Sequence, residues 1–211
     1  MLRVGLTGGV ASGKTTVGKM MEEHGAYVVQ ADIIAHELMS PGEAVYAEVV
    51  KRFGQSIVNK NDGGAIDRAK LGAIAFGEGR ITELNQIVHP AVIHRQEEWM
   101  MEICRKDPEA VVVVEAALIL EAGVNGRFDK LVVVTCAEEE KRRRFVERAG
   151  VRGIGPADAE QQFESVLAAQ LPDTDKVKAA DYVIDNSGAL DETRAQVEKV
   201  MQELKALAAT K

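Results

Sequence analysis

Gly8-Gly9-Val10-Ala11-Ser12-Gly13-Lys14-Thr15 is the stretch from which the fold is read. It fits G-x-x-x-x-G-K-[ST], the pattern of a phosphate-binding loop. Gly8 and Gly13 carry no Cβ, so the backbone there can take positive φ and turn its N–H groups toward an anion. Lys14 supplies a mobile cation for β- and γ-phosphates, and the Thr15 hydroxyl is placed to ligate Mg²⁺. The flanks agree. Leu2-Arg3-Val4-Gly5-Leu6 reads as a short apolar strand, while Val17, Met20, Met21 and His24 recur at helical spacing behind the loop. Between a strand and a helix N-terminus, orphan N–H groups and the helix dipole favour phosphate. The plain alternative is a glycine-rich β–α turn that binds nothing. The flanks favour a nucleoside triphosphate site.

Moving outward, Ala26-Tyr27-Val28-Val29-Gln30 reads as a second buried strand, with Asp32 just past its carboxyl end. Asp32 suits a general base for an acceptor hydroxyl or a helper to Mg²⁺, and equally suits a helix N-cap. Helices are predicted through Ile33, Ile34, Leu38 and Met39, and over Ala44 to Phe53. Asn61-Asp62-Gly63-Gly64 is a turn, and Asp67 can cap a helix through Leu71, Ile74 and Ala75. A helix from Glu78 to Val88 is expected to stop before Pro90, which opens another reaching Cys104 to Lys106. His89 is then either an extended pre-proline residue or an imidazole offered to a substrate phosphate or hydroxyl.

Val111-Val112-Val113-Val114 is apolar on both sides and belongs inside a parallel sheet. Lys130 to Thr135 and Ala180 to Asp185 read as further strands. A terminal helix places Leu190, Val197, Val200, Met201, Leu204 and Leu207 on one face. The expected fold is α/β: a doubly wound parallel sheet of about five strands with helices on both faces. Ligands of such a sheet bind at the carboxyl ends of its strands. The whole of 1–211 reads as one domain, with residues 33–106 a helical insertion for a second substrate and 138–175 a lid region.

Two charged features remain. Glu115 ends the valine strand, where a carboxylate can reach a metal through water or simply close a strand. Glu138-Glu139-Glu140-Lys141-Arg142-Arg143-Arg144 contains three acid-to-base pairs at i,i+4 (138/142, 139/143, 140/144), which a solvated helix would select. That accounts for Arg142 and Arg143. Arg144 and Arg148 share a face and lead into Ala149-Gly150-Val151-Arg152-Gly153, as expected of a mobile lid that folds over a γ-phosphate.

Bulk properties narrow the classes. With 46% hydrophobic and 28% charged residues the composition is globular, and the net charge of −7 disfavours broad attraction to nucleic acid or anionic membrane. Cys104 and Cys136 lack paired or ligand spacing, and the four histidines lack zinc spacing. No apolar run approaches a membrane span, and a strand running directly into the loop leaves no room for a signal peptide. A cytoplasmic location is expected.

The ordered set of segments is similar to the dephospho-coenzyme A kinase family, a member of the phosphate-loop nucleotide-kinase group. The resemblance rests on Leu6 to Thr16, Ala31-Asp32-Ile33-Ile34-Ala35-His36-Glu37-Leu38, Asp67-Arg68 with Lys70-Leu71-Gly72, Ile87-Val88-His89-Pro90, Leu118-Ile119-Leu120-Glu121 and Ala180 to Asn186. It implies transfer of the ATP γ-phosphate to the ribose 3′-hydroxyl of dephospho-coenzyme A, with Mg²⁺. By the same resemblance, Asp32 is the base, Gly8 to Thr16 hold the nucleotide, and Lys14 and Thr15 serve phosphate and Mg²⁺. Arg144 is the lid arginine, Arg148 follows a turn later, and Asn186 lies near the adenine. The chain departs in two places. Glu115-Ala116-Ala117-Leu118 stands where many members have an Asp followed by Pro-Leu-Leu, and Val166 stands where many have an Arg four residues before the Gln matching Gln170. Other readings compatible with the loop are a kinase for another small molecule or nucleoside monophosphate, and a slow nucleotide-dependent switch.

Overall fold

The computed structural model describes all residues, 1–211. Strand β1 (Leu2–Gly8) leads through the loop into helix α1 (Lys14–Glu23), then β2 (Tyr27–Gln30), α2 (Ala31–Leu38) and α3 (Ala44–Phe53). Helices α4 (Arg68–Gly77) and α5 (Ile81–Lys106) precede β3 (Val111–Glu115) and β4 (Lys130–Thr135). Then come α6 (Glu138–Val151), α7 (Pro156–Ala168), α8 (Asp173–Lys178), β5 (Tyr182–Asp185) and α9 (Leu190–Ala209).

The strands form one five-stranded parallel sheet in the order β2-β3-β1-β4-β5. β1 is central, pairing with β3 (Val4 opposite Val113) and with β4 (Leu6 opposite Val132). This explains the unbroken apolar runs, because an interior parallel strand is covered on both faces. Every residue of β3 is buried. In the main core Val4, Leu6, Val113, Val132 and Val134 of the sheet pack with Val17 and Met21 of α1 and with Val197, Met201 and Leu204 of α9. Burying each such side chain contributes about 1.5–3 kcal/mol. A smaller cluster of Ile119, Leu131 and Val133 lies apart from it, joined by Phe128 and Leu120.

By internal contacts the chain divides into two compact units: Met1–Val29 with Ile103–Lys211, which holds most of the sheet, and Gln30–Glu102. In the second unit Ile34, Leu38, Val49, Val50, Phe53, Leu71 and Ala75 are buried. Asp67 caps α4 as expected, accepting from the backbone N–H groups of Ala69 and Lys70, each at 3.1 Å.

Three sequence expectations are corrected. The break at His89-Pro90 is absent: α5 runs unbroken over 26 residues with Pro90 in its interior. Proline there removes one i→i−4 hydrogen bond, a cost of about 3 kcal/mol that a helix this long absorbs. Second, the inward face of α9 is Thr193, Val197, Val200, Met201, Leu204 and Ala208, whereas Leu190 and Leu207 are exposed. The buried set keeps the 3.6-residue period; Leu207 lies at the edge of that face, and Leu190, which is on it, is the first residue of the helix. Third, residues 149–151 form the last turn of α6 where a glycine-rich connection is expected, so the turn to α7 is confined to Arg152–Gly155.

Helices α6 and α7 form a hairpin. Phe145 and Phe163 meet edge to face with centroids 5.6 Å apart. Arg142 reaches past its own helix to Glu160 at 2.7 Å and Glu164 at 2.6 Å, with its guanidinium 4.8 Å from the Phe163 ring centroid. Its role therefore exceeds an i,i+4 pair with Glu138. Arg143 pairs with Glu140 and Glu147, both at 2.6 Å, in place of the expected Glu139. Cys136 joins β4 to this hairpin and is 6% exposed; burial raises its thiol pKa.

Candidate active site

The loop leaves β1 at Gly8 and enters α1 at Lys14. Gly13 sits in the left-handed region (φ 93°, ψ 25°), which only glycine occupies without penalty. Gly8 is required by space: a Cβ there would lie 2.3 Å from the carbonyl oxygen of Val134. No side chain caps α1, so its first-turn N–H groups and positive dipole end face whatever anion the loop holds. Lys14 Nζ donates to the carbonyls of Gly8 (3.1 Å) and Gly9 (3.0 Å), folded against the loop it serves.

The Thr15 hydroxyl donates to Glu115 Oε1 at 2.7 Å. Parallel pairing of β1 with β3 puts Leu6 opposite Glu115, and this register delivers the carboxylate to the start of α1. Two hard oxygen donors thus meet at the loop. No group of three or more His, Cys, Asp or Glu is placed to hold a metal alone.

Asn186 is 2% exposed and braces the loop from beneath. Its Nδ2 donates to Ser12 O at 2.8 Å, and its Oδ1 accepts from Thr193 at 2.9 Å. Arg144 lies at the same place, donating to Asn186 O at 3.0 Å and pairing with Glu140 at 2.7 Å. Arg148 follows one turn later and donates to the Arg144 carbonyl at 3.3 Å. Partial desolvation, then repulsion from Arg152 and Arg144, lowers its pKa from the ordinary arginine value. Three guanidiniums gathered toward one helix end suit an anion.

Asp32 and His89 belong to the Gln30–Glu102 unit, and both are exposed. Asp32 is not an N-cap. That position is Gln30, which makes no capping bond, and Asp32 is the second residue of α2. Its carboxylate gains from the helix dipole without being engaged by the backbone. His89 sits within α5 and is not extended.

Sequence reasoning missed several residues beside the loop. Gln170 Oε1 accepts from the Val10 N–H at 2.8 Å. Lys141, within the charge run read as a solvated face, is buried and paired with Asp173. Lys176, fully buried, pairs with Glu121 at 2.9 Å, and Glu121 also accepts from the Leu171 N–H at 3.0 Å. No local pattern announces partners 32 to 160 residues away in the chain.

A family model described as dephospho-CoA kinase matches residues 2–192. A dephospho-CoA kinase of Aquifex aeolicus is 40% identical over 205 residues, covering 97% of this chain and 98% of the relative. One of Geobacillus kaustophilus is 40% identical over 207 residues, covering 98% of each. Among solved structures, a Thermus thermophilus protein has a TM-score of 0.75 at 28% identity, covering 96% of this chain and 97% of its own. A Campylobacter jejuni dephospho-CoA kinase (TM-score 0.67, 23% identity, 97% of each chain) shares the fold. So does a Bacteroides thetaiotaomicron shikimate kinase (TM-score 0.52, 14% identity, covering 97% of this chain and 98% of its own).

Proposed function

The chain belongs to the dephospho-CoA kinase family, an ATP-dependent phosphotransferase family, and from that premise we propose that it phosphorylates the ribose 3′-hydroxyl of dephospho-coenzyme A. The match across residues 2–192 carries the reading. In this reading Gly8 to Thr16 cradle the triphosphate of ATP, with the uncapped α1 N-terminus supplying N–H donors. Lys14 exchanges its loop carbonyls for phosphate oxygens.

The Thr15 hydroxyl and the Glu115 carboxylate suit Mg²⁺, which prefers hard oxygens and keeps several of its waters. Bound there with ATP, Mg²⁺ would neutralise charge on the β- and γ-phosphates. Asp32 accepts the proton of the attacking hydroxyl, and His89 helps to hold the acceptor. The Gln30–Glu102 unit supplies the acceptor surface. The α6–α7 hairpin acts as a lid, bringing Arg144 and Arg148 to the charge that develops in the transition state. Excluding water prevents idle hydrolysis of ATP.

The test is a coupled ADP-release assay with ATP, Mg²⁺ and three acceptors: dephospho-coenzyme A, AMP and shikimate. Dephospho-coenzyme A should exceed the others by at least about 10²-fold in kcat/KM, because unpaired polar groups in the acceptor site penalise the wrong molecules. Equal rates with AMP would reject the substrate.

A further inference from the structure

Lys141 is the odd member of its charge run. Its neighbours Arg142, Arg143 and Arg144 keep 24–57% of their side-chain surface in solvent, whereas the Lys141 side chain keeps 5%. Lysine is almost never buried unless paired. Its partner is Asp173, the first residue of α8, and the pair presses directly on the phosphate loop. A Cβ placed on Gly9 would lie 2.9 Å from Asp173 Oδ1 and 3.2 Å from Lys141 Nζ. The next loop residue, Val10, is held by Gln170 at 2.8 Å, and Leu171 and Lys176 are fastened to Glu121 at 3.0 and 2.9 Å. The Gln170–Lys176 segment is thus tied on both sides of Asp173, and its carboxylate is held beside the loop.

A buried ion pair is weak evidence for stability, since apolar residues of similar volume often serve as well. Its position gives it another consequence. Asp173 places a carboxylate against a loop that must accept a polyanion, and at short range in a partly desolvated site like charges repel strongly. Lys141 cancels that repulsion.

We propose that Lys141 and Asp173 form a charge couple that sets the affinity of the phosphate loop for its nucleotide, with Lys141 the positioning residue. The inference rests on the loop being the ATP site, as proposed above. The two members act with opposite sign. Lys141→Met leaves an uncompensated carboxylate at Gly9 and weakens nucleotide binding, whereas Asp173→Asn leaves an uncompensated ammonium and strengthens it. A brace that merely held the loop in shape would weaken binding in both variants.

The experiment is calorimetric titration of the full chain with ADP and Mg²⁺ in the absence of acceptor, with melting temperatures measured alongside. Lys141→Met should raise Kd by about tenfold or more and Asp173→Asn should lower it about threefold or more, as expected for one charge gained or lost at short range. The double variant Lys141→Met/Asp173→Leu should return to within about twofold of wild type, because both charges leave together. Shifts in the same direction, or neither single variant moving beyond about twofold, overturn the proposal. If Lys141→Met fails to fold, Asp173→Asn and the double variant decide it: tighter binding by Asp173→Asn supports the couple, weaker binding removes it. A wild type that binds ADP but does not phosphorylate dephospho-coenzyme A defeats the proposed function while these ratios still decide the couple. A wild type that binds no nucleotide defeats both.

Discussion

At the scale of single residues, Asp32 and Arg144 bear the proposed chemistry, and each can be separated from its structural neighbours. Asp32 is the second residue of α2 and engages no backbone N–H as a cap, so Asp32→Asn removes a proton acceptor at almost no structural cost. Turnover should fall about 10²–10⁴-fold, while the lost charge–dipole term of about 0.3–1 kcal/mol moves the melting temperature little. Unchanged kcat in a stopped-flow or coupled assay would remove Asp32 as the base. Arg144→Ala should lower kcat by about 10³-fold and leave the KM for ATP nearly unchanged, because a closing cation meets charge mainly in the transition state. Arg142→Ala is the informative contrast. It deletes contacts to Glu160, Glu164 and Phe163 that hold the hairpin, and should lower the melting temperature more than it slows chemistry. Identical kinetic and thermal profiles for the two variants would erase the distinction. The phosphate loop is readable to the residue because its chemistry is local: glycines, a lysine and a hydroxyl at fixed offsets. Asn186 and Lys141 are not readable in the same way. What they do depends on partners brought near by the sheet, and Lys141 sits in a run whose local pattern describes a solvated helix.

At the scale of elements, strands are the most legible, since an interior parallel strand must be apolar on both sides and β3 and β4 satisfy that over nearly every position. Helix boundaries are legible where a cap marks them, as Asp67 does for α4. They are misread where a local rule meets a long helix, as at Pro90. Pro90→Ala should restore the hydrogen bond to the Gln86 carbonyl and raise stability by about 1–3 kcal/mol, read as an increased urea midpoint with unchanged m. A lower midpoint would mean that the proline, not the helix, sets the backbone there. Helix α6 carries a pH signature. Hydrogen bonds from Arg143, then Arg144, hold the Glu140 carboxyl at about 2 against an ordinary 4.5. A depressed carboxylate stabilises the native state fully above its unfolded pKa and loses that contribution as pH falls through the native one. The hairpin should therefore be insensitive to Glu140 above about pH 4.5 and weaken progressively from there toward about pH 2. Glu140→Gln should flatten that part of the stability–pH curve, and a curve of unchanged slope would show that the ion pairs contribute nothing.

At the scale of the whole molecule, alternation of strands and helices is enough to give the sheet and its helical cover, because that architecture follows from burying apolar faces. The strand order β2-β3-β1-β4-β5 is beyond the sequence: β1 lies between strands that begin more than 100 residues later, and pairing register is set by packing and not by any one segment. No helix is long and apolar enough to cross a membrane. The sheet meets the hairpin at a joint of only two residues between β4 and α6, and the first of these is Cys136. A buried thiol reacts only when its surroundings part, so its alkylation rate is a clock for the opening of that joint. In a Cys104→Ser background, modification of Cys136 by a maleimide should proceed on the timescale of local opening and slow severalfold under saturating ATP. Should nucleotide leave the rate untouched, the hairpin moves without its root, and motion must be sought in the Arg152–Gly155 turn.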